Sequence, residues 1–225
     1  MATVDALPSS PALSPSPLRV IDYSPTYGDQ VINLFVTGMT DNISASQDSV
    51  ERDMISGFIP SAATTLRDIP SLVNAPGGGR FFLALSPNND LVGMLAMARS
   101  DEDASNETVE LTRISTARDW RRKGVCKALV AHAIREAVDE FAVSSVYLHT
   151  LSSVDAAMNT YSKLGFVLQG PRKWAKPSVV KFVMNVEGSG WWQKQPGRAG
   201  APPVTEVVAQ GVQAETGGGR GIAGH

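Results

Sequence analysis

The sequence predicts an α/β (α+β) fold, in which a mixed, mostly antiparallel sheet of about six to seven strands is flanked by helices. Two observations predict it. Apolar stretches of strand length alternate with stretches whose apolar residues recur at the helical period. In addition, two polar turns at residues 86–90 and 100–107 separate three successive strand-like runs, which is typical of antiparallel strands.

The composition disfavours several classes of protein. The chain has 225 residues, of which 43% are hydrophobic and 19% are charged, as in globular domains. Its net charge of -2 argues against a general nucleic-acid or membrane-surface binder. No apolar run approaches the roughly 18–20 residues of a membrane-spanning helix, and the chain does not begin with a secretory signal. Cys126 is the single cysteine, which fits a reducing compartment, so we expect a cytoplasmic protein.

Changes in composition along the chain predict one domain with two loose ends. Residues 1–17 are rich in proline and serine and are expected to form a disordered leader. Residues 18–187 contain the periodic apolar pattern and form the predicted domain. Residues 188–225 are rich in glycine and proline and are expected to be a disordered tail, with Trp191 and Trp192 packing back locally.

The first third of the domain predicts one strand followed by helices. Residues 18–23 read as the strand, and a helix begins near Asp29. A second helix is predicted around residues 47–56. Over residues 57–79 the periodicity fades, and three prolines are expected to break any helix there: Pro60, Pro70 and Pro76. This stretch is interpreted either as a lid or substrate wall, or as a packed surface excursion.

The rest of the domain predicts the sheet and two further helices. Strands are predicted at residues 80–85, 91–98, 108–115, 143–150, 166–168 and 178–186. After the cations at residues 121–123, a helix is predicted by apolar residues that lie on one face over residues 128–138, and another helix is predicted at residues 154–164. Gly165 follows the second of these helices at the position that favours a left-handed residue.

Three consecutive cations, Arg121, Arg122 and Lys123, stand where one of these helices is predicted to begin. The positive end of a helix dipole disfavours cations by roughly 0.3–1 kcal/mol each on a surface, whereas free amides at that end bind phosphate readily. The pattern therefore predicts an anion at this corner, with a solvated basic turn as the alternative. The triple glycine at residues 77–79 precedes a strand and is followed by no lysine-serine or lysine-threonine pair, which excludes a P-loop.

Two motifs resemble those of the GNAT N-acetyltransferase superfamily. Residues 121–126, Arg-Arg-Lys-Gly-Val-Cys, resemble its acyl-coenzyme A signature, in which glutamine or arginine is followed by two variable residues, glycine, one variable residue, and glycine or alanine. Ala157, Tyr161, Gly165 and Phe166 resemble its second signature. The likeness covers about residues 18–187, and over residues 111–170 it is greatest to the camello-like branch. Members of that branch typically carry a membrane segment, but residues 57–79 here are polar and broken by proline, so no membrane anchor is expected.

The resemblance implies acetyl-CoA as cosubstrate and assigns its binding residues. The end of the strand predicted at residues 108–115 would pair with the pantetheine arm through the backbone of Ile114, Ser115 and Thr116. At the helix start the pyrophosphate would be bound by these residues: Arg121, Arg122, Lys123, Gly124, Val125 and Cys126. Gly124 would allow close approach of the backbone. Cys126 replaces glycine or alanine and is interpreted as a small packing residue, whose thiolate a helix N-terminus beside cations would favour.

The implied chemistry is attack by a neutral amine on a thioester, which requires a base and an acid. Tyr161 is the predicted acid, and Glu110 is the predicted base, with His149 as the second candidate. Arg113 is expected to form an ion pair or a contact on the sheet face. No metal ligands are assigned. The acceptor could be a small-molecule amine, a peptide N-terminus or a protein lysine, and the protein a monomer or homodimer. A non-catalytic acetyl-CoA sensor or interaction module is the alternative function.

Overall fold

A computed structural model describes residues 18–74, 78–100, 106–171 and 179–195. The predicted leader and residues 196–225 of the predicted tail lie outside this part of the chain, as do Pro76 and Gly77. The described strands form one sheet in the order β1-β2-β3-β4-β5-β7-β6. Their bounds are β1 Arg19–Asp22, β2 Gly79–Leu85, β3 Leu91–Arg99, β4 Thr108–Thr116, β5 Ser145–Leu151, β6 Val167–Pro171 and β7 Val179–Asn185. The predicted fold class, including the mixed and mostly antiparallel sheet, is confirmed.

The helices lie on both faces of the sheet. Their bounds are α1 Gly28–Ala45, α2 Ser49–Thr65, α3 Ile69–Val73, α4 Val125–Phe141 and α5 Asp155–Lys163. One core cluster lies between the sheet and α1 to α3 and includes Phe35, Leu66 and Phe81. The other lies beneath α4 and α5 and includes Leu111, Leu129 and Phe182. Both clusters are fully buried at their centres, so each face of the sheet is covered.

The centre of the sheet contains its one parallel pairing within the described residues. β4 runs parallel to β5 from the pair Thr108 and Ser145 to the pair Leu111 and Leu148. Beyond that point β4 continues to pair with β3 as far as Thr116, and β5 continues to pair with β7. The two strands therefore separate from each other while each keeps its outer neighbour. This leaves a wedge-shaped cleft between them, and α4 crosses from the end of β4 to the start of β5.

The predicted break at Pro60 is wrong, because α2 continues through it to Thr65. Ile55 before the proline and Ala62 after it are each only 1% exposed, so both halves of the helix pack into the protein. Pro60 removes one backbone hydrogen bond, but Ser56, whose carbonyl loses that partner, is on the exposed side of the helix. Pro70, in contrast, stands in the first turn of α3, where proline is well tolerated.

The packed region extends beyond residue 187. Trp192 is 2% exposed and belongs to the core cluster beneath α4 and α5, and Trp191 packs against the same cluster. In the part of the chain that the structure describes, no helix is long and apolar enough to cross a membrane.

Candidate active site

The cleft between β4 and β5 widens into a cavity of about 670 Å³. Its walls are the separated ends of the two strands, the start of α4, one side of α5, and parts of α1 and α2. Eleven of the predicted site residues line it: Glu110, Ile114, Ser115, Thr116, Arg121, Arg122, Gly124, Val125, Cys126, His149 and Tyr161. Lys123 does not line it. The structure therefore brings together residues that are up to 51 positions apart in the sequence.

The start of α4 presents backbone amides to the cavity. Gly124 has a φ of 84° and Arg122 a φ of 63°, so the chain turns sharply just before the helix. The first amide bonded within the helix is that of Ala128, which donates to the carbonyl of Gly124 at 2.9 Å. The helix has no side-chain cap. The amides of Val125 and Cys126 are thus among those that a helix N-terminus leaves without an intrahelical partner.

Two of the three cations at this corner already have protein partners. Nη2 of Arg121 lies 2.5 Å from Oδ2 of Asp41 on α1, and its Nε lies 3.4 Å from the carbonyl oxygen of Thr116. The Nζ atom of Lys123 lies 5.1 Å from the ring centre of Trp120, a cation–π contact. Arg121 therefore ties α1 to the end of β4 and borders the cavity at the same time.

The two candidate bases contact each other. Nδ1 of His149 lies 2.9 Å from Oε1 of Glu110. Because a carboxylate accepts hydrogen bonds, Nδ1–H is the donor, and Nε2 of the neutral ring then carries the lone pair. Nε2 is buried and has no hydrogen-bond partner among the described residues. Glu110 and His149 thus form one hydrogen-bonded unit, the Glu110/His149 pair, rather than two competing bases.

Tyr161 lies on α5 and faces Cys126 at the start of α4. The Tyr161 side chain is 7% exposed. The pKa of the Tyr161 hydroxyl lies well above its usual value. The main cause is burial, and the neighbouring Cys126 is a smaller cause. The hydroxyl therefore stays protonated and can donate a hydrogen bond into the cavity.

The expectation that the thiolate of Cys126 is favoured is wrong. Burial raises the pKa of this thiol from 9.0 to about 11. The helix N-terminus and the nearby cations favour the thiolate, but the loss of water around the sulfur outweighs them. Cys126 is a neutral thiol in the wall of the cavity, as its interpretation as a packing residue requires.

Arg113 lines the cavity, a position that the sequence pattern did not predict. Its guanidinium carbon lies 5.9 Å from the ring centre of Phe35 and 5.6 Å from that of Phe58, and all three side chains line the cavity. Burial lowers the pKa of the Arg113 guanidinium, and the carboxylate of Glu110 partly offsets this. Arg113 has a φ of 54°. No glycine or asparagine marks the position, so the sequence carried no signal for this turn of the backbone.

Comparison with known families identifies the class of protein. The model of the acetyltransferase (GNAT) family matches residues 48–166, which include β4, α4, β5 and α5. The chain belongs to this family. The family resemblance drawn from the two motifs is confirmed.

Curated relatives that match this chain share one name. N-acetylaspartate synthetase from Homo sapiens is 35% identical over 120 residues, which are 51% of this chain and 37% of that protein. The protein of the same name from Danio rerio is 36% identical over 120 residues, 51% of this chain and 39% of its own length. The chain therefore matches little more than a third of the length of these relatives. The likeness to the camello-like branch, to which these synthetases belong, is also confirmed.

Solved structures share the fold at low sequence identity. A PaiA N-acetyltransferase from Thermoplasma acidophilum, in complex with coenzyme A, has a TM-score of 0.62 and 12% identity, with 76% of this chain and 99% of that chain covered. A spermidine N-acetyltransferase from Vibrio cholerae, in complex with CoA and spermine, has a TM-score of 0.53 and 15% identity, with 74% and 94% covered. These likenesses support the fold alone.

Proposed function

We propose that this protein is an acetyl-CoA-dependent N-acetyltransferase that acts on the primary amine of a small molecule in a ternary complex. The observation that carries the proposal is the shared cavity. A hydrogen-bonded base, the Glu110/His149 pair, and a protonated donor, Tyr161, line the same cavity as the uncapped start of α4.

The cavity fits a long cosubstrate with an anionic end. A Cβ added at Gly124 would meet no atom of the described residues within 4 Å, so the space beside this glycine is open to a ligand. Amides at the start of α4 suit a pyrophosphate, and Arg122 adds positive charge beside them. The gap between β4 and β5 leaves the inner edge of Ile114, Ser115 and Thr116 without a partner on β5, so it can pair with an extended arm. Bound there, acetyl-CoA would supply a thioester whose carbonyl carbon accepts a nucleophile.

The Glu110/His149 pair would remove the proton of the incoming ammonium group. Glu110 holds the imidazole through Nδ1, which leaves the lone pair on Nε2. A positioned base of this kind typically contributes 10²–10⁴-fold to a rate. The pair passes this first proton to solvent. As the neutral amine nitrogen then bonds to the acetyl carbon and the carbon–sulfur bond breaks, the pair takes the second proton that the nitrogen loses.

Tyr161 would stabilise the departing thiolate. A thiol has an ordinary pKa of about 8.5, which lies below that of the buried Tyr161 hydroxyl. Full transfer of the phenolic proton to sulfur is therefore uphill. Tyr161 acts mainly as a hydrogen-bond donor to the thiolate, which takes its final proton from solvent.

A small molecule is the acceptor class that the comparisons support best. The curated relatives are named for an acetylated amino acid, and a structural neighbour was solved with spermine. A peptide N-terminus and a protein lysine, which the sequence also allows, are secondary candidates. The cytoplasmic location and the monomeric or homodimeric state stay predictions from the sequence.

The test separates the enzyme from a non-catalytic acetyl-CoA sensor. The full chain is incubated with acetyl-CoA and a panel of amino acids, polyamines and lysine peptides, and released CoA and acetylated products are measured by mass spectrometry. We expect at least one small amine to be acetylated with one CoA released per product, and the Tyr161→Phe variant to be slower. Tight binding of acetyl-CoA without turnover on any amine would support the sensor instead.

A further inference from the structure

Arg113 lies against aromatic rings from two helices. Phe35 belongs to α1 and Phe58 to α2, and the guanidinium group is within cation–π distance of both rings. Nη2 of Arg113 also lies 3.4 Å from Oγ1 of Thr65 at the end of α2. These contacts hold the guanidinium group at the side of the cavity that α1 and α2 form.

A bulge in β4 directs Arg113 to that side. Met94 of β3 pairs with Ser115, but Ala96, two residues later, pairs with Thr112. β4 therefore contains one extra residue here, and the φ of 54° at Arg113 belongs to this irregularity. Bulges change the direction of a side chain and often lie beside functional sites. Backbone in the left-handed region is costly for arginine, so the surrounding structure must impose it.

The bulge also determines which residues share a face with Arg113. Glu110 pairs with Ala98, and Thr112 with Ala96, which packs against the core beneath α1 and α2. Strict alternation would turn residue 113 to the opposite face. Because of the extra residue, Arg113 instead contacts α1 and α2 and lies on the same face as Glu110.

The polar groups of Arg113 are incompletely satisfied. Nε is buried and has no hydrogen-bond partner among the described residues. A guanidinium group offers five N–H donors, and the fork formed by Nε and one Nη matches the two oxygens of a carboxylate. Burial without an anion directly bonded to the group lowers the pKa of Arg113. A bound carboxylate would satisfy Nε and compensate the buried charge.

We propose that Arg113 binds a carboxylate of the acceptor and so selects anionic amines, such as amino acids, over cationic polyamines. This inference rests on the proposed function, because it concerns the acceptor of the same reaction. The carboxylate of the acceptor lies at Arg113, and its amine lies at the Glu110/His149 pair on the same face of β4. A polyamine would place a second cation beside the guanidinium group, which disfavours it.

The first test is a binding measurement that requires no turnover. The full chain, saturated with CoA, is titrated by calorimetry with succinate and with butane-1,4-diamine, two four-carbon probes of opposite charge. We expect succinate to bind more tightly than the diamine, and its affinity to fall at least tenfold in Arg113→Gln. Arg67→Gln is the matched control, because Arg67 is exposed in the turn after α2 and does not line this cavity.

The second test is kinetic. In Arg113→Gln the KM for L-aspartate should rise at least tenfold, and the ratio of kcat/KM for spermine to that for L-aspartate should rise by a similar factor. The KM for acetyl-CoA should stay within twofold. Arg113→Lys keeps the charge but loses the fork, so it should fall between the wild type and Arg113→Gln.

Three outcomes would overturn the assignment of Arg113. They are equal succinate affinity in the wild type and in Arg113→Gln, tighter binding of the diamine than of succinate, and a parallel loss of acetyl-CoA affinity, which would indicate a structural role. If Arg113→Gln does not fold, the affinities of the wild type for the two probes still decide whether the site prefers an anion. Failure of the proposed function gives a different result. No amine would then be acetylated, whereas the succinate titration would still measure whether Arg113 binds a carboxylate.

Discussion

Nδ1 of His149 lies 2.9 Å from Oε1 of Glu110 at the point where β4 and β5 stop pairing. Leu111 and Leu148 form the last parallel pair, so Glu110 precedes this point on β4 and His149 follows it on β5. The contact therefore spans the narrow end of the cleft. It places a carboxylate-supported imidazole beside the space into which the cleft opens, and the proposed proton transfer depends on this contact.

Tyr161→Phe should reduce kcat and leave cosubstrate binding intact. The variant removes the donor to the thiolate but keeps the ring, which packs between Phe166 and Phe182. We expect kcat to fall by roughly 10- to 100-fold, within the lower part of the range for acid–base groups, while the Kd for CoA changes less than twofold. Steady-state kinetics and calorimetry measure the two values. An unchanged kcat would remove Tyr161 from the mechanism.

Gly124→Ala should impair acetyl-CoA binding more than folding. Within the part of the chain that the structure describes, the new Cβ meets no atom within 4 Å, but the φ of 84° is unfavourable for alanine, at a cost of roughly 1–2 kcal/mol. The same Cβ would stand where the pyrophosphate should approach. We expect the KM for acetyl-CoA to rise about tenfold or more, a loss of about 1.4 kcal/mol or more in binding, with a modest decrease in Tm.

Gly93→Ala provides the matched comparison. A Cβ there would lie 2.5 Å from Cγ1 of Val125 and 3.0 Å from Cδ1 of Leu129, so α4 would have to move away from β3. Overpacking of this kind costs roughly 1–3 kcal/mol, and each kcal/mol lowers Tm by about 2–4 °C in a domain of this size. Thermal denaturation should therefore show a loss of Tm in Gly93→Ala similar to or larger than that in Gly124→Ala. A KM for acetyl-CoA that simply follows the loss of Tm in both variants would contradict the assignment of Gly124 to the ligand.

The Cys126 thiol should ionise only at high pH and should react slowly with disulfide reagents. Burial raises the pKa of the thiol from 9.0 to about 11, so thiolate absorbance near 240 nm should have its midpoint near pH 11, and disulfide reagents should react slowly at pH 8. The folded-state pKa lies above the unfolded value. The stabilisation from the neutral thiol is therefore complete below about pH 9 and is lost as the pH rises towards 11.

Cys126→Ala is the control for this titration, because alanine is one of the two residues that the family signature takes at this position. The difference in absorbance between the wild type and the variant, in which the tyrosine contribution cancels, should show the transition near pH 11. The stability of the variant should fall less than that of the wild type between pH 9 and 11. A wild-type midpoint below pH 9 would show instead that the helix N-terminus and the cations determine the ionisation of the thiol.

The sequence predicted the features that local rules control. The hairpin of β2 and β3, the third antiparallel strand and the glycine end of α5 follow from turn chemistry and hydrophobic period. The start of α4 beside three cations and a glycine was also predicted, and the anion site there stays a prediction. These signals lie within a few residues of the structure that they predict.

The missed features depend on long-range packing. α2 continues through Pro60 because buried residues on both sides favour one helix, which no local rule at proline reveals. The contact of Glu110 with His149 depends on the register of a parallel pair formed by residues 39 positions apart. The orientation of Arg113 depends on a bulge in which an arginine takes a backbone conformation that the sequence does not mark. In each case tertiary structure decides between local alternatives.

The most direct measurement is kcat at saturating acetyl-CoA and acceptor for the wild type, Glu110→Gln, His149→Gln and the double variant. Asp53→Asn, on the exposed side of α2, is the control for loss of a carboxylate. If the two residues act as one base, each single variant should lose roughly 10²–10³-fold in kcat, and the double variant should be little slower than the slower single variant. A single variant within a few-fold of the wild type, or a double variant whose loss is the product of the two single losses, would contradict a shared base at the narrow end of the cleft.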